Sequence, residues 1–152
     1  MQDKKEAIKS DLKLERNILS EAVFKVNSDI DFNEWYAIDE NEIEVKVETH
    51  LGVNSVSPSI GKLILKVEIF NENFENQEKP FYCSVEMEFF FSDDVGEYTE
   101  NKNIVEKFGL NMVSISYPYV RAYISTLSSI SGIDQIHIPT INVYNTFNND
   151  ED

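Results

Sequence analysis

A chain of 152 residues is the size of about one domain. Its 13 Lys and Arg against 28 Asp and Glu give a formal net charge of −15, which excludes the basic face that nucleic acids need and disfavours anionic membrane surfaces, whereas a basic partner or plain solubility fits it. With 41% hydrophobic and 12% aromatic residues, the chain has too much apolar material to stay disordered.

Cys83 is the single cysteine, so no internal disulfide can form, and a reducing compartment is the simpler reading. No apolar run reaches the ~18 residues of a membrane span, and residues 1–10 carry no apolar segment behind their lysines, so the cytoplasm is the expected location.

In chain order, residues 7–26 read as an irregular strand with Leu12, Leu14, Ile18, Phe24 and Val26 as its apolar positions. Phe32, Trp35 and Tyr36 then form an aromatic cluster in a loop, either a lid on the sheet or an apolar binding surface. Residues 42–48 alternate strictly, with Ile43, Val45 and Val47 on one face and charges on the other, as in a strand half buried and half solvated. Residues 61–70 repeat the pattern with Leu63, Leu65, Val67 and Ile69. The polar stretch 71–80 suits a hairpin-like return. After it, Phe81, Cys83, Val85, Met87, Phe89 and Phe91 share a face, backed by Tyr82, Ser84, Glu86 and Glu88. Tyr82 and Phe90 interrupt that polar back and point to a contact with another sheet or subunit.

The period then changes. Over residues 112–131 the positions Ile115, Tyr119, Ala122, Tyr123, Leu127 and Ile130 recur at helical spacing. Ser114 or Ser116 is the expected cap, Pro118 belongs to the first turn, and Gly132 ends the helix. Residues 136–147, broken by Pro139, suggest a short second helix, and residues 148–152 an acidic, disordered tail. Strands followed by helices predict an α+β fold: a four-stranded antiparallel sheet with a long helix and a short C-terminal helix on one face. Residues 1–147 form the expected single domain.

No phosphate-cradling glycine loop or nucleophile elbow is present. His50 and His137 are far apart and show no metal-ligand spacing, so no metal and no cofactor are expected. Cys83 lies in the apolar alternation and reads as core. Asp29, Asp31 and the Asp93-Asp94 pair fall in turn-like contexts, where Asp caps and turns. These residues favour a protein that is not an enzyme.

Phe81-x-Cys83-x-Val85 through Phe91, followed by Tyr117-Pro118-Tyr119-Val120-Arg121, Ile124-Ser125-Thr126-Leu127, Ser131-Gly132 and Ile136-His137-Ile138-Pro139-Thr140-Ile141-Asn142, resembles SecB, the bacterial export-chaperone family. The likeness spans most of residues 7–147 and includes the position of Trp35. It implies an ATP-independent holdase that keeps unfolded or pre-export polypeptides in apolar grooves and hands them to the Sec translocase. Expected client-binding residues are Phe32, Trp35, Tyr36, Ile43, Val45, Val47, Ile136, Ile138, Tyr144 and Phe147. The family's dimer-of-dimers assembly implies a homotetramer, with the Ala122, Ser125, Ser128 and Ser129 helix face at its interface. Of the positions the family uses to contact SecA, Glu21 keeps the acidic type, while Ser84 and Lys25 depart from it. An adaptor of the same fold dedicated to one partner, such as the antitoxin of a toxin–antitoxin pair, is the alternative reading. A small-ligand-binding protein or an enzyme using the open sheet is a further one.

Overall fold

The strict alternation after Gly61 and after Pro80 sets the architecture. In the computed structural model, which describes residues 11–133, these runs become β3 (Ile60–Ile69) and β4 (Phe81–Ser92). They lie antiparallel, with Leu63, Leu65, Val67 and Ile69 opposite Phe89, Met87, Val85 and Cys83. That shared face is buried. β1 (Lys13–Val26) pairs with the other edge of β4, and β2 (Val45–Val53) with the other edge of β3. The result is one four-stranded antiparallel sheet in the order β1-β4-β3-β2. A short α1 (Phe32–Tyr36) lies between β1 and β2, and a long α2 (Ile104–Ile130) follows β4. The α+β fold expected from the sequence is therefore present in its sheet and long helix. The expected short C-terminal helix, the acidic tail and the first residues of the 7–26 run lie outside the described residues.

α2 packs across β2, β3 and β4 on the buried face of the sheet. It passes so close that a Cβ at Gly61 would stand 2.9 Å from Ile104 Cγ2 and 3.2 Å from Met112 Cε. Glycine there permits the close approach. The helix starts earlier than its apolar spacing predicts: Asn103 is the cap, accepting the Glu106 N–H at 3.0 Å. Ser114 and Ser116 are therefore interior, and so is Pro118. Pro118 is tolerated because it sits on the exposed face, where solvent satisfies the carbonyl its ring leaves without a donor. The core-facing stripe also differs from the expected one. Met112, Val113, Ser116, Tyr117, Val120, Ile124 and Ser128 are buried; of the expected positions, Tyr123 and Leu127 are half-buried against the core, whereas Ile115, Tyr119, Ala122 and Ile130 are exposed. Two stripes of helical spacing share one helix; the core covers one fully and the other only in part, at Tyr123, Leu127 and the Tyr119 ring, which lies 6.0 Å from that of Phe89.

The helix ends as expected. Gly132 takes φ +84°, its N–H bonds the Ser129 carbonyl at 3.4 Å, and the Ile133 N–H bonds that of Ser128 at 3.3 Å. These are the paired bonds that close a helix on a left-handed glycine.

β1 is irregular for a physical reason. Its register slips between Leu14 and Arg16 and again between Leu19 and Glu21. Each extra residue resets the alternation. Leu14, Asn17, Leu19, Ala22, Phe24 and Val26 thus face the core side, opposite Phe91, Phe89, Met87, Val85, Cys83 and Phe81, while Ile18 lies on the other face beside Glu88.

Candidate functional site

At the Val26 end of β1 the chain leaves the sheet through a fixed turn. Asn27 donates its backbone N–H to the Pro80 carbonyl at 2.9 Å and its side-chain amide to the Lys79 carbonyl at 3.2 Å. Its side-chain oxygen accepts the Asp29 N–H at 3.1 Å. Asp31 then caps α1 by accepting the Glu34 N–H at 3.0 Å. A helix of five residues is far too short to persist alone. Rings hold it down: Phe32 meets Phe81 edge-on at 5.5 Å, and Trp35 meets Phe70 edge-on at 5.6 Å. Beneath them Phe70 packs on Phe81 at 5.3 Å, and Phe24 stacks on Phe81 at 5.6 Å. Such ring pairs contribute ~0.5–1.5 kcal/mol each beyond their buried area.

Phe70 holds this cluster in an unusual backbone state. It leaves β3 with φ +61° while buried, and its N–H donates to the Glu44 carbonyl at 3.0 Å. A left-handed, non-glycine residue costs on the order of 1–3 kcal/mol, which the surrounding rings offset. Lys79 adds a polar latch: its ammonium lies 5.6 Å from the Phe70 ring, 5.9 Å from the Trp35 ring and 3.8 Å from the Glu44 carboxylate.

The structure thus brings Phe32, Trp35 and Tyr36 together, stacking Phe32 on Tyr36 at 5.6 Å. Phe32 and Trp35 are half-buried, while Tyr36 is 57% and Ile38 52% exposed. Ile43, Val45 and Val47 are half-buried against the same core. Ile136, Ile138, Tyr144 and Phe147 lie outside the described residues. The pattern reading missed Phe24, Phe70, Ile30 and Ile38 as parts of this region. The placement of Ile38 three residues after Trp35, one helical turn on, was the available signal.

Beside the rings opens a cleft of about 580 Å³. Ile30, Trp35 and Ile38 give it an apolar wall, and Asp29, Asp31, Glu34, Glu75 and Glu78 give it an acidic rim.

The opposite face of the sheet is a charged carpet. Lys62 pairs with Glu88 at 2.8 Å and Lys66 with Glu68 at 2.9 Å. Glu21 is exposed and sits across from Glu86 on this face, with Lys25 opposite Tyr82 and Ser84 opposite Val23. Tyr82 and Phe90, expected to mark an outside contact, find partners within the chain. Phe74 stacks on Tyr82 at 6.2 Å. The Arg16 guanidinium lies 4.3 Å from the centre of the Phe90 ring. On α2, Ala122 and Ser129 are exposed and Ser125 is half-buried, while Ser128 is fully buried within the chain.

The remaining chemistry-bearing groups have structural surroundings. Burial pushes the Cys83 thiol up to about 12. His50 is exposed and hydrogen-bonded to Glu48 at 3.1 Å, and His137 lies outside the described residues. Asp93 is a turn centre, accepting the Val95 N–H at 2.9 Å, the Gly96 N–H at 3.1 Å and the Tyr98 hydroxyl. Among the described residues no group of three His, Cys, Asp or Glu is placed to hold a metal ion, and no helix is long and apolar enough to cross a membrane.

Comparison with known proteins bears on the fold. The chain superposes on the Mycobacterium tuberculosis SecB-like chaperone, solved in complex with a ChAD peptide from the HigA1 antitoxin, with a TM-score of 0.59 and 11% identity over 86% of this chain and 88% of that one. The fold is therefore SecB-like. A Streptococcus agalactiae protein of unknown function matches with a TM-score of 0.44 and 6% identity over 85% of this chain and 97% of that one. In sequence, the chain is 34% identical over 102 residues to an uncharacterized protein of Methanocaldococcus jannaschii, covering 66% of this chain and 63% of that protein's length. No family model matches.

Proposed function

We propose that this protein is an ATP-independent chaperone that holds an unfolded polypeptide on apolar surface at the α1 end of its sheet. The observation that carries the reading is the half-open ring cluster: Trp35 and Phe32 lie over buried Phe70 and Phe81, with Tyr36 and Ile38 left facing solvent. Ile43, Val45 and Val47 extend this surface towards and along β2, and Ile136, Ile138, Tyr144 and Phe147, outside the described residues, are further proposed client contacts. Such a surface binds by many weak apolar contacts, at ~25 cal/mol per Å² buried, less the cost of ordering the client. The net charge of −15 keeps a protein with exposed apolar surface soluble.

The proposed assembly is a homotetramer. β1 is an edge strand with its outer side unpaired among the described residues, and pairing between copies is one way to cover such an edge. The exposed face of α2 with Ala122, Ser125 and Ser129 supplies the second contact. The proposed location is the cytoplasm.

A partner-dedicated adaptor is the second reading. It is favoured by Ser84 and Lys25, which replace acidic contact types on the face that would meet SecA while Glu21 remains, and by the antitoxin peptide in the structural neighbour.

Size exclusion with light scattering, alone and with a slow-folding unfolded protein, tests the proposal. A mass near four subunits that carries the unfolded protein supports it, and a monomer that ignores unfolded protein overturns it. Competition then separates the two readings: a general holdase releases its natural client when an unrelated unfolded protein is in excess, whereas a dedicated adaptor retains it.

A further inference from the structure

The chain between Asn27 and Glu44 is tied to the body at its two ends and to itself in between. Asn27 donates to the Lys79 and Pro80 carbonyls, and the Glu44 carbonyl accepts the Phe70 N–H. Among the described residues, the hydrogen bonds of 28–43 stay within 27–43. The Asn41 side chain donates to the Trp35 carbonyl at 2.8 Å and closes the segment on itself. No residue of α1, at its middle, is fully buried. Apolar side chains hold the segment to the sheet: Phe32 on Phe81, Trp35 on Phe70, and half-buried Ile43 against the core. The β3–β4 loop beside it is the opposite case. The Asn71 carbonyl accepts the Phe74 N–H at 3.1 Å, the Asn71 side chain accepts the Asn73 N–H at 2.8 Å and donates to Gln77 at 3.0 Å, and Phe74 stacks on Tyr82 at the charged face. Lys79 is fixed in this loop from both sides: its N–H donates to the Phe74 carbonyl at 2.8 Å, and its carbonyl accepts the Asn27 amide at 3.2 Å. Its ammonium reaches over Trp35 and Phe70 from a rigid base.

We propose that residues 28–43 are a lid that swings off the sheet as one body, and that Lys79 is the latch that holds it shut. Closed, the lid covers Phe70 and Phe81, which are 2% and 0% exposed. Open, it uncovers both rings beside half-buried Phe24. A segment held by side-chain packing alone, with no hydrogen bond to the body between its ends, opens at lower cost than the sheet beneath it. The Lys79 ammonium stands over one ring of the lid, Trp35, and one ring of the floor, Phe70, so it attracts both only while they are together. Glu44 lies past the lid's end and aims the ammonium without gripping the lid itself. This inference rests on the proposed chaperone reading, to which it adds regulation. The lid shields the rings when no client is present, an apolar client segment takes its place on them, and apparent affinity falls by the fraction of molecules that are closed.

Native-state hydrogen exchange of the full-length protein reads the lid directly. The Trp35, Ala37 and Ile38 N–H groups bond the Asp31, Asn33 and Trp35 carbonyls. They are expected to exchange together in urea well below the unfolding midpoint, while the amides of β3 and β4 exchange only on global unfolding. Lys79→Gln is expected to speed the lid amides about fivefold and to leave those of β3 and β4 unchanged, and Lys79→Arg to keep the parental rate. Trp35 is the only tryptophan of the chain, so its quenching by acrylamide gives a second reading, expected to rise in Lys79→Gln alone. Exchange of the lid amides only together with the sheet overturns the lid. Equal rates in the parent and Lys79→Gln, or a rise in Lys79→Arg to match it, overturn the latch. Titration with an unfolded protein separates these outcomes from the reading beneath. Binding about fivefold tighter in Lys79→Gln than in Lys79→Arg joins the lid to the client site, and equal binding by the two detaches it. A lid that opens in a protein that ignores unfolded chains overturns the chaperone reading and leaves the lid standing.

Discussion

β1 and β4 are neighbours in one antiparallel ladder but live in different surroundings. Every residue of β4 is buried or half-buried, while most of β1 is exposed. α2 accounts for the contrast, because it packs on β2, β3 and β4 and leaves β1 largely uncovered. An apolar side chain on β4 therefore contributes to stability. One on β1, such as Leu19 or Val26 at 39% and 44% exposure, remains available to a partner. The molecule divides into a finished half that holds the fold and an open rim, running from β1 into α1, that can do work.

Substitutions that probe both halves at once test this division. Phe81 and Phe24 stack on each other across the β4–β1 boundary. Phe81→Ala is expected to cost about 3–5 kcal/mol in urea unfolding, because a fully buried ring leaves a cavity. Phe24→Ala, at a half-buried site, is expected to cost roughly half as much. Equal losses would break the comparison. On α2 the same contrast separates the two stripes: Ile124→Ala is expected to cost about 2–4 kcal/mol, and exposed Ile115→Ala under about 1 kcal/mol. Reversal of that order would return the core to the stripe that spacing alone selects.

A smaller effect belongs to pH. The Tyr98 hydroxyl, helped by the Val95 and Gly96 N–H groups and by the Lys107 charge, holds the Asp93 carboxyl below the usual carboxylate range, against the opposing effect of burial. A group whose folded pKa is depressed stabilises the fold above its unfolded value of about 4 and loses that contribution as pH falls through the lower folded value. Thermal melts from neutral to acid pH should therefore show a steeper acid limb for the parent chain than for Asp93→Asn. Identical limbs would remove Asp93 from the acid response. The smallest expected change is Ser116→Ala. The Ser116 hydroxyl is buried with no hydrogen-bond partner among the described residues, so removing it should leave stability within about 1 kcal/mol, on the stabilising side. A loss of more than that in the same unfolding experiment would point to a bond that this hydroxyl makes in solution.

The finished half was legible in the sequence for a plain reason. β3 and β4 have one dry and one wet face, so period two is enforced at every step, and their shared core face reads directly from residues 61–69 and 81–91. The rim was harder. β1 breaks the period at its two register slips, and with so little of it buried, no continuous apolar face marks which side chain points where. α1 is too short for any period to show. The Phe32-Trp35-Tyr36 cluster was visible as aromatic residues in a connection, but its floor was not, because Phe70 joins it through a left-handed turn that no alternation predicts. On α2 the spacing was right and the stripe only partly so: Tyr123 and Leu127 pack on the core, but Ile115, Ala122 and Ile130 face out. Tyr117, Val120 and Ile124 recur as regularly as Ile115, Tyr119 and Ala122, and only the position of the sheet decides between them.

The two slips in β1 have a consequence for how a chain with an open edge stays dispersed. Lys13–Val26 uses 14 residues to run beside the 12 of Phe81–Ser92. Each surplus residue twists the strand and breaks the even row of donors and acceptors along its outer side. A flat edge is a template on which copies stack without limit into fibres. An edge interrupted twice gives no such repeat: a second strand must match both interruptions, which favours a closed pair of defined register over an endless stack.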